Sequence, residues 1–440
     1  MKLSGWGRFP RQEAQLRSPR STAQLQRFLG EGPAIARGNG RAYGDSAVNA
    51  ENTLHMRHFS KMVSFNSKTG QLVAEAGVLA GDIIAGFLPR GWFLPVTPGT
   101  KFVTLGGMIA ADVHGKNHHK HGSFGNFVDW IEVMGADGTV TRASRQRNKQ
   151  LFAWTLGGMG LTGIILRAAI RLIRVESGWI RQTMIPAADL DAAMDIFEGA
   201  QETTYSVAWI DCLSIGAARG RSLVMLGEHA GLEDLPKPRR RHPFRTGAKR
   251  RLSVPFSPPG WLMNGLTVRA FNRLYYWNGC RKAGESLVDW DSYFYPLDAI
   301  LNWNRIYGRK GFMQYQSVLP LETARDGLAS LLDAIADAGA GSFLAVLKRL
   351  GPQDSPFSFP MEGYTLALDF PVNRKTLALM DALDDITLDH GGRFYLAKDS
   401  RMSAQTLRRS DPRTDAFTQT RAALGAQAAF RSAQSQRLEI

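Results

Sequence analysis

Cysteine is almost absent: the 440 residues hold two, Cys212 and Cys280. Two thiols build no disulfide framework and suit a reducing compartment. Long hydrophobic runs are missing as well. The longest, Leu156 to Ile173, is interrupted by Arg167 and Arg171 and falls short of a membrane span. The opening stretch MKLSGWGRFPRQEAQ lacks the apolar core of a secretory leader. These absences lead us to expect a cytoplasmic protein, with at most peripheral contact to the inner face of the plasma membrane. Acidic residues are scarce: 39 Asp and Glu against 54 Lys and Arg leave a net charge of +15 and a pI near 10.0. Such an excess implies an anionic partner, whether phosphate, nucleic acid or a membrane surface. The remainder is ordinary, with 44% hydrophobic and 21% charged residues, and the length exceeds what one core sustains, so two lobes are expected.

The chain is organised around Thr97 to Gly125, TPGTKFVTLGGMIAADVHGKNHHKHGSFG. Pro98-Gly99-Thr100 predicts a turn, because proline fixes φ and glycine tolerates positive φ. Thr104 stands ahead of Gly106-Gly107, where a short apolar helix over Met108 to Val113 is expected. A helix opening on paired glycines turns backbone N–H groups and a positive dipole end toward an anion. His114-Gly115-Lys116-Asn117-His118-His119-Lys120-His121-Gly122 follows at once, with four of the chain's nine histidines. A phosphate-cradling turn leading into titratable side chains reads as a cofactor site joined to a reaction site. The rivals are a solvated His/Lys loop and a metal cluster. No cysteine accompanies the histidines and no HxxxH pair falls on a predictable helix, so no metal is expected.

Upstream, Pro33 to Arg37 predicts a strand feeding the turn Gly38-Asn39-Gly40-Arg41-Ala42-Tyr43-Gly44-Asp45-Ser46. The spacing misses the dinucleotide fingerprint: the third glycine comes one residue late, and turn chemistry follows where a helix should. Such a loop can still wrap a pyrophosphate with backbone amides. Ser21 to Leu29 predicts a helix capped by Ser21 or Thr22. Met62–Phe65 and Gln71–Ala76 predict a hairpin, Leu79–Leu88 a helix, and Phe127–Gly135 with Thr139–Arg142 a second hairpin about Asp137-Gly138. The glycines of LGGMGLTG, from Leu156 to Gly163, admit a flat ligand or simply close packing, and a strand from Ile164 to Val175 follows.

Together the Gly38–Ser46 loop, the PGT-x-x-x-T-x-GG turn into HGKNHH, and LGGMGLTGII resemble the flavin lobe of the vanillyl-alcohol-oxidase-type FAD superfamily, and within it the decaprenylphosphoryl-β-D-ribose 2-oxidase family. Gly5-Trp6-Gly7-Arg8, Gln314-Tyr315-Gln316, FLAVLKRL from Phe343 to Leu350, Leu368-Asp369-Phe370-Pro371 and GRFYLAKDSR from Gly392 to Arg401 extend the likeness along the chain. The resemblance implies an α+β, two-lobed PCMH-type fold. An FAD-binding domain would cover residues 1–178, completed by 393–440, and a substrate-binding cap on an antiparallel sheet would cover 179–392. The family's FAD contacts fall on Arg37, Gly38, Asn39, Gly40, Arg41, Ala42, Tyr43, Gly44, Pro98, Gly99, Thr100, Thr104, Gly106, Gly107, His114, Gly115, Asn117, His118, Gly122, Ile164 and Tyr395. The Gly38–Ser46 loop offers no His or Cys for a covalent link, so non-covalent FAD is expected. Lys398, His114 and Tyr395 are the implied catalytic positions. Tyr43, Lys116, Gln314, Gln316, Lys348, Asp369 and Lys398 are the implied substrate positions. Two departures stand out. Mycobacterial members carry a cysteine where this chain has Ala367, so thiol-directed inactivators should not act there. The Phe294-Tyr295 stretch before Pro296-Leu297-Asp298 also differs in polarity.

The activity implied is FAD-dependent oxidation of the 2-hydroxyl of a polyprenylphosphoryl-β-D-ribose to the 2-keto sugar, the first half of epimerisation to the arabinose form. A separate NAD(P)H-dependent short-chain reductase would complete it. Lys398 is expected to position the sugar and offset charge, since base catalysis would require its pKa to fall far below about 10.4. His114 is then the expected proton acceptor. Asp369 within an apolar strand needs a partner, and Lys348 is the expected one. Gln314 and Gln316 share one side of a strand, which is either pocket or surface. Asp234 to Arg251, DLPKPRRRHPFRTGAKRR, reads by charge as a solvated loop. With Val254-Pro255-Phe256, Pro258-Pro259-Gly260-Trp261-Leu262-Met263 and FNRLYYW from Phe271 to Trp277, it suits an anionic bilayer surface. Nucleic acid is the rival and is not expected, because no nucleic-acid fold accompanies the run. Two other functions compete: an FAD oxidase of a soluble sugar, alditol or aldonolactone, and a lipid- or nucleic-acid-binding protein that keeps the fold without turnover. The basic charge argues against the first, and intact Lys398, Tyr395 and His114 argue against the second.

Overall fold

The computed structural model describes residues 1–247, 252–257 and 265–440. The two expected hairpins join through Ile164–Arg171 into a five-stranded antiparallel sheet. Its order is Val140–Ser144, Val128–Met134, Ile164–Arg171, Gln71–Glu75, Met62–Asn66. Leu72, Ala74, Ile131, Val133, Ala168 and Ile170 pack in one core with the helix Ala80–Phe87 and with Leu105, Met108 and Ile109. A small parallel sheet of Leu16–Arg17, Thr53–His55 and Ile35–Arg37 stands beside it. The helix Thr22–Leu29 is capped as expected, Ser21 Oγ accepting from the Gln24 N–H at 3.3 Å.

Two local expectations shift. The strand from Ile164 breaks at Leu172, whose N–H turns to the Gly70 carbonyl at 2.9 Å, and Ile173–Arg174 pairs with Trp92–Phe93 instead. The helix expected over Met108 to Val113 begins earlier, at Leu105, and ends at Ala110. Thr104 decides this, because its Oγ1 accepts from the Gly107 N–H at 3.2 Å and caps the first turn. Asp112, at φ 37°, turns the chain out of the helix. Its buried carboxylate then accepts from Ser123 Oγ, the Gly125 N–H and Ser358 Oγ, which fixes the histidine loop that follows.

Residues from Trp179 to Phe394 build an eight-stranded antiparallel sheet. The order is Gly284–Asp289, Trp179–Ala187, Ser222–His229, Tyr205–Ile210, Val346–Leu350, Gly363–Pro371, Phe312–Pro320 and Arg393–Phe394. Arg393–Phe394, where the return to the first lobe was expected to begin, is still the outer strand of this sheet. Side chains alternate between faces with a period of two. Tyr364, Leu366, Leu368 and Phe370, with Met313, Tyr315 and Leu347, share a core with the helices Leu190–Gly199, Ala324–Ala338 and Arg374–Asp389. Each large apolar side chain buried there stabilises the fold by roughly 1.5–3 kcal/mol. The intervening residues Gln314, Gln316, Val346, Lys348, Ala367 and Asp369 face a cavity on the other side. Gln314 and Gln316 are therefore pocket residues.

Part of the basic run is helical while remaining exposed: Lys237–Arg240 is a short helix, and the Arg239 guanidinium lies 3.9 Å over the Trp179 ring. Residues 248–251 and the Pro258 to Met263 wedge lie outside the described residues. After Phe394 the chain returns to the glycine-rich loop. Ala34 bridges to Phe430, Gln434 donates to the Leu396 carbonyl, and Arg437 reaches both Asp45 at 2.8 Å and Asp399 at 2.9 Å. Burial pushes the Asp399 carboxyl up, but Arg437 and two backbone N–H groups overcome it and hold the pKa below the usual range. Replacing Arg437 by Met strands two buried carboxylates, and urea unfolding should register a loss on the order of 3 kcal/mol at neutral pH. The stability held by Asp399 is present above its unfolded pKa and is lost as pH falls through its lowered folded value, so the penalty should shrink in acid.

Candidate active site

A cavity of about 720 Å³ is walled by the glycine loops and by the open face of the eight-stranded sheet. Gly38 to Tyr43, Pro98 to Thr100, Thr104, Gly106 and Gly107 form the loop wall. Absent side chains let the loops come this close. A Cβ on Gly38 would sit 2.2 Å from Thr104 Oγ1, and one on Gly106 would sit 2.8 Å from Ala76 Cβ. Asp298 ties the Pro98–Thr100 turn to the cap, accepting from Thr100 Oγ1 at 2.8 Å and from the Lys101 N–H at 2.9 Å. The Arg41 guanidinium lies over the rings of Trp6 at 4.1 Å and Phe102 at 5.0 Å.

Other residues expected to touch the cofactor stand behind this wall. Arg37 donates to the carbonyls of Ser4 and Ala47. Gly44 lies against the Asp399 carbonyl, where a Cβ would be 2.1 Å away, and Gly115 packs on Thr97 and Asn117. Asn117 gives its amide to the Pro95 carbonyl, and Gly122 ends the short helix His118–His121. Ile164 is buried within its strand. The four histidines of the loop diverge: His114 meets Gln316, His118 meets Gln353, His119 reaches the Thr203 carbonyl, and His121 meets Asn117. Burial lowers His118 to about 4. Among the described residues no three metal-ligating side chains converge.

Where the walls meet, the cavity gathers His114, Lys116, Gln314, Gln316, Lys348, Asp369, Tyr395 and Lys398. Asp369 is buried. Its Oδ1 accepts from Gln314 Nε2 at 2.6 Å, and its Oδ2 meets no donor among the described residues. Lys348 is not its partner, because strand register places Lys348 opposite Thr365. The charge acting on Asp369 is that of Lys398. Burial raises the Asp369 carboxyl far above its ordinary value, with Gln314 and Lys398 opposing. Lys398 Nζ lies 4.0 Å over the Tyr43 ring. Burial lowers its pKa strongly, Asp369 opposing and Lys348 reinforcing. The same desolvation draws Lys116 to about 7 and Lys348 to about 8.

The same burial acts on both candidate bases. Burial, then Lys348, His118 and Lys398, push the His114 imidazole well below its ordinary pKa, which leaves a feeble base. Its Nε2 lies 3.1 Å from Gln316 Nε2. Lys398 meets the condition set for it, since a lowered pKa makes the free amine available. Tyr395 forms part of the wall: its hydroxyl donates to the Ala111 carbonyl at 3.1 Å and its ring stacks on Phe359 at 4.6 Å.

The wall fits an elongated cofactor carrying phosphate. Arg41 Nε, Thr97 Oγ1 and His114 Nδ1 are buried with no partner among the described residues, and all three side chains border the cavity. Residues 14–144 match the FAD binding domain family. Over its whole length the chain is 35% identical to the decaprenylphosphoryl-beta-D-ribose oxidase of Mycolicibacterium smegmatis, of which 97% is covered. The chain belongs to this family. Shorter similarities reach the human Delta(24)-sterol reductase, 27% identical over 31% of this chain and 26% of that protein, and the mouse L-gulonolactone oxidase, 27% identical over 31% of each. Like other members, the protein is an FAD-dependent oxidoreductase acting on CH–OH groups, with the α+β PCMH-type fold. FAD is its cofactor, and the Gly38–Ala42 and Pro98–Thr100 loops that line the cavity would hold it.

Sequence reasoning missed part of the cap wall: Trp209, Met225 and Phe343, with Phe271 and Tyr275, also line the cavity. The four-residue step from Phe271 to Tyr275 on a helix was the available signal. In anaerobic stopped-flow reduction of the FAD-loaded enzyme, Lys398→Met should slow reduction by at least about 100-fold, while His114→Ala should stay within about tenfold of wild type. The opposite ranking would return the proton to His114.

Proposed function

We propose that the protein oxidises the 2-hydroxyl of a polyprenylphosphoryl-β-D-ribose to the 2-keto sugar. The observation that carries this reading is three lysines, Lys116, Lys348 and Lys398, in one cavity that also holds Asp369 and the apolar side chains of Val207, Trp209, Met225 and Phe343. FAD, held non-covalently, would supply the acceptor for the hydride that leaves the carbinol carbon with its two electrons. Lys398 Nζ takes the hydroxyl proton. Asp369 Oδ2, lacking a donor of its own among the described residues, accepts from a neighbouring sugar hydroxyl, and Gln314 and Gln316 complete the polar contacts. Lys116 and Lys348 face the phosphodiester, whose negative charge restores the protonated forms that burial disfavours. Val207, Trp209, Met225, Phe271, Tyr275 and Phe343 offer the prenyl chain an apolar path. A neutral soluble sugar, the competing substrate, uses none of these cations. The 2-keto product then requires a separate NAD(P)H-dependent reductase to reach the arabinose configuration, and a lipid-linked substrate places the reaction at the cytoplasmic face of the membrane.

Anaerobic bleaching of the flavin by a short-chain prenylphosphoryl ribose, but not by ribitol or an aldonolactone, is the expected result. Bleaching by the soluble sugars alone would replace this reading with the other. The lysines bind phosphate when protonated, so KM for the phosphorylated substrate should rise above pH about 8, where Lys116 and Lys348 are neutral. A phosphate-free riboside should show no such rise.

A further inference from the structure

We propose that the helix Gly265–Cys280 is a docking element that seats the mouth of the cavity on an anionic lipid bilayer. The reading of a lipid-linked substrate says what passes through the mouth, and this inference rests on it for that role alone. The helix presents three faces. Val268, Asn272 and Gly279 are buried, and the anchorage is specific: Asn272 donates to Asp211 Oδ1 at 2.7 Å, and the Tyr276 hydroxyl donates to the Ala187 carbonyl at 3.1 Å. On a second flank Phe271 and Tyr275 line the cavity, Phe271 edge-on to Phe343 at 4.9 Å and Tyr275 against Trp209 at 4.7 Å. These two rings are also 41% and 40% exposed. Both rings therefore belong at once to the cavity lining and to the outer surface.

The third face is directed away from the protein. Leu274 is 63% and Trp277 54% exposed, a large apolar area to leave in water. Arg269 and Arg273 are exposed on the same helix, the Arg281 guanidinium lies 4.7 Å from the Trp277 ring centre, and Lys282 follows. The helix sequence GLTVRAFNRLYYWNGC contains no acidic residue. Apolar side chains among cations and no anions are complementary to a headgroup layer of negative charge over hydrocarbon. A single-stranded nucleic acid would use the arginines and Trp277 but gains nothing from Leu274, which has no face to stack on a base. A bilayer uses both, and it is continuous with the lining at Phe271 and Tyr275 through which a prenyl chain would be drawn.

The test is sedimentation of the FAD-loaded full chain with vesicles, which involves no turnover. Wild type should partition onto vesicles of equimolar phosphatidylcholine and phosphatidylglycerol and much less onto phosphatidylcholine alone. The double variant Leu274→Ser, Trp277→Ser should lose about tenfold of that partition. Its flavin spectrum and its reduction by a short-chain soluble substrate should be unchanged, and Trp277→Ser alone should give an intermediate loss. The proposal is overturned if the double variant sediments like wild type, or if neutral vesicles bind equally. It is likewise overturned if these side chains support binding to a single-stranded oligonucleotide and not to vesicles. Failure of every prenylphosphoryl sugar to reduce the flavin would remove the substrate reading and leave the vesicle result to decide docking.

Discussion

Desolvation of the ammonium groups of Lys116, Lys348 and Lys398 governs the cavity, and Asp369 acts as a counter-charge on Lys398. An ionised group taken out of water either finds a partner or moves its pKa. Here the pKa values move. The site is consequently short of negative charge, and an anion that enters it returns the lysines to their charged form. Burial, reinforced by the neighbouring cations, lowers the pKa of both Lys398 and His114. Asp369, steadied by Gln314, sets how far Lys398 falls.

This arrangement is possible because one sheet does two jobs. Along Gly363–Pro371, Tyr364, Leu366, Leu368 and Phe370 anchor a helical layer, while Ala367 and Asp369 between them face the cavity. The strand is therefore held rigidly by its apolar half, and its polar half inherits that precision. A one-residue slip would put the carboxylate into the core and the phenylalanine into the site. The loop wall is held from its far side in the same way, by Asp298 at the Pro98–Thr100 turn and by Arg437 beneath the Gly38–Ser46 loop.

Elements with local causes were legible in the residues alone. Ser21 caps its helix, Asp137-Gly138 turns its hairpin, and Thr104 stands at the start of a short helix, which begins at Leu105 because a capped first turn outweighs glycine's poor propensity. Most positions implied by the likeness of scattered motifs to one flavoenzyme family border the cavity. The likeness carried along Arg37, Gly44 and His118 as well, which shape the loops from behind.

Pairings across the fold were not legible. Gln314 and Asp369 are 55 residues apart, and His114 and Gln316 are 202 apart. Nothing in their neighbours announces either contact, and the plausible Lys348–Asp369 pair fails on strand register alone. By itself, then, the order of residues determined which segments turn, coil or extend, and that the chain carries a strong positive charge. Which lysines share a desolvated cavity, and whether Gln314 faces solvent or that cavity, was decided only in three dimensions. The reason is that burial is a sum over neighbours brought together from distant parts of the chain, whereas periodicity and capping depend on residues a few positions away.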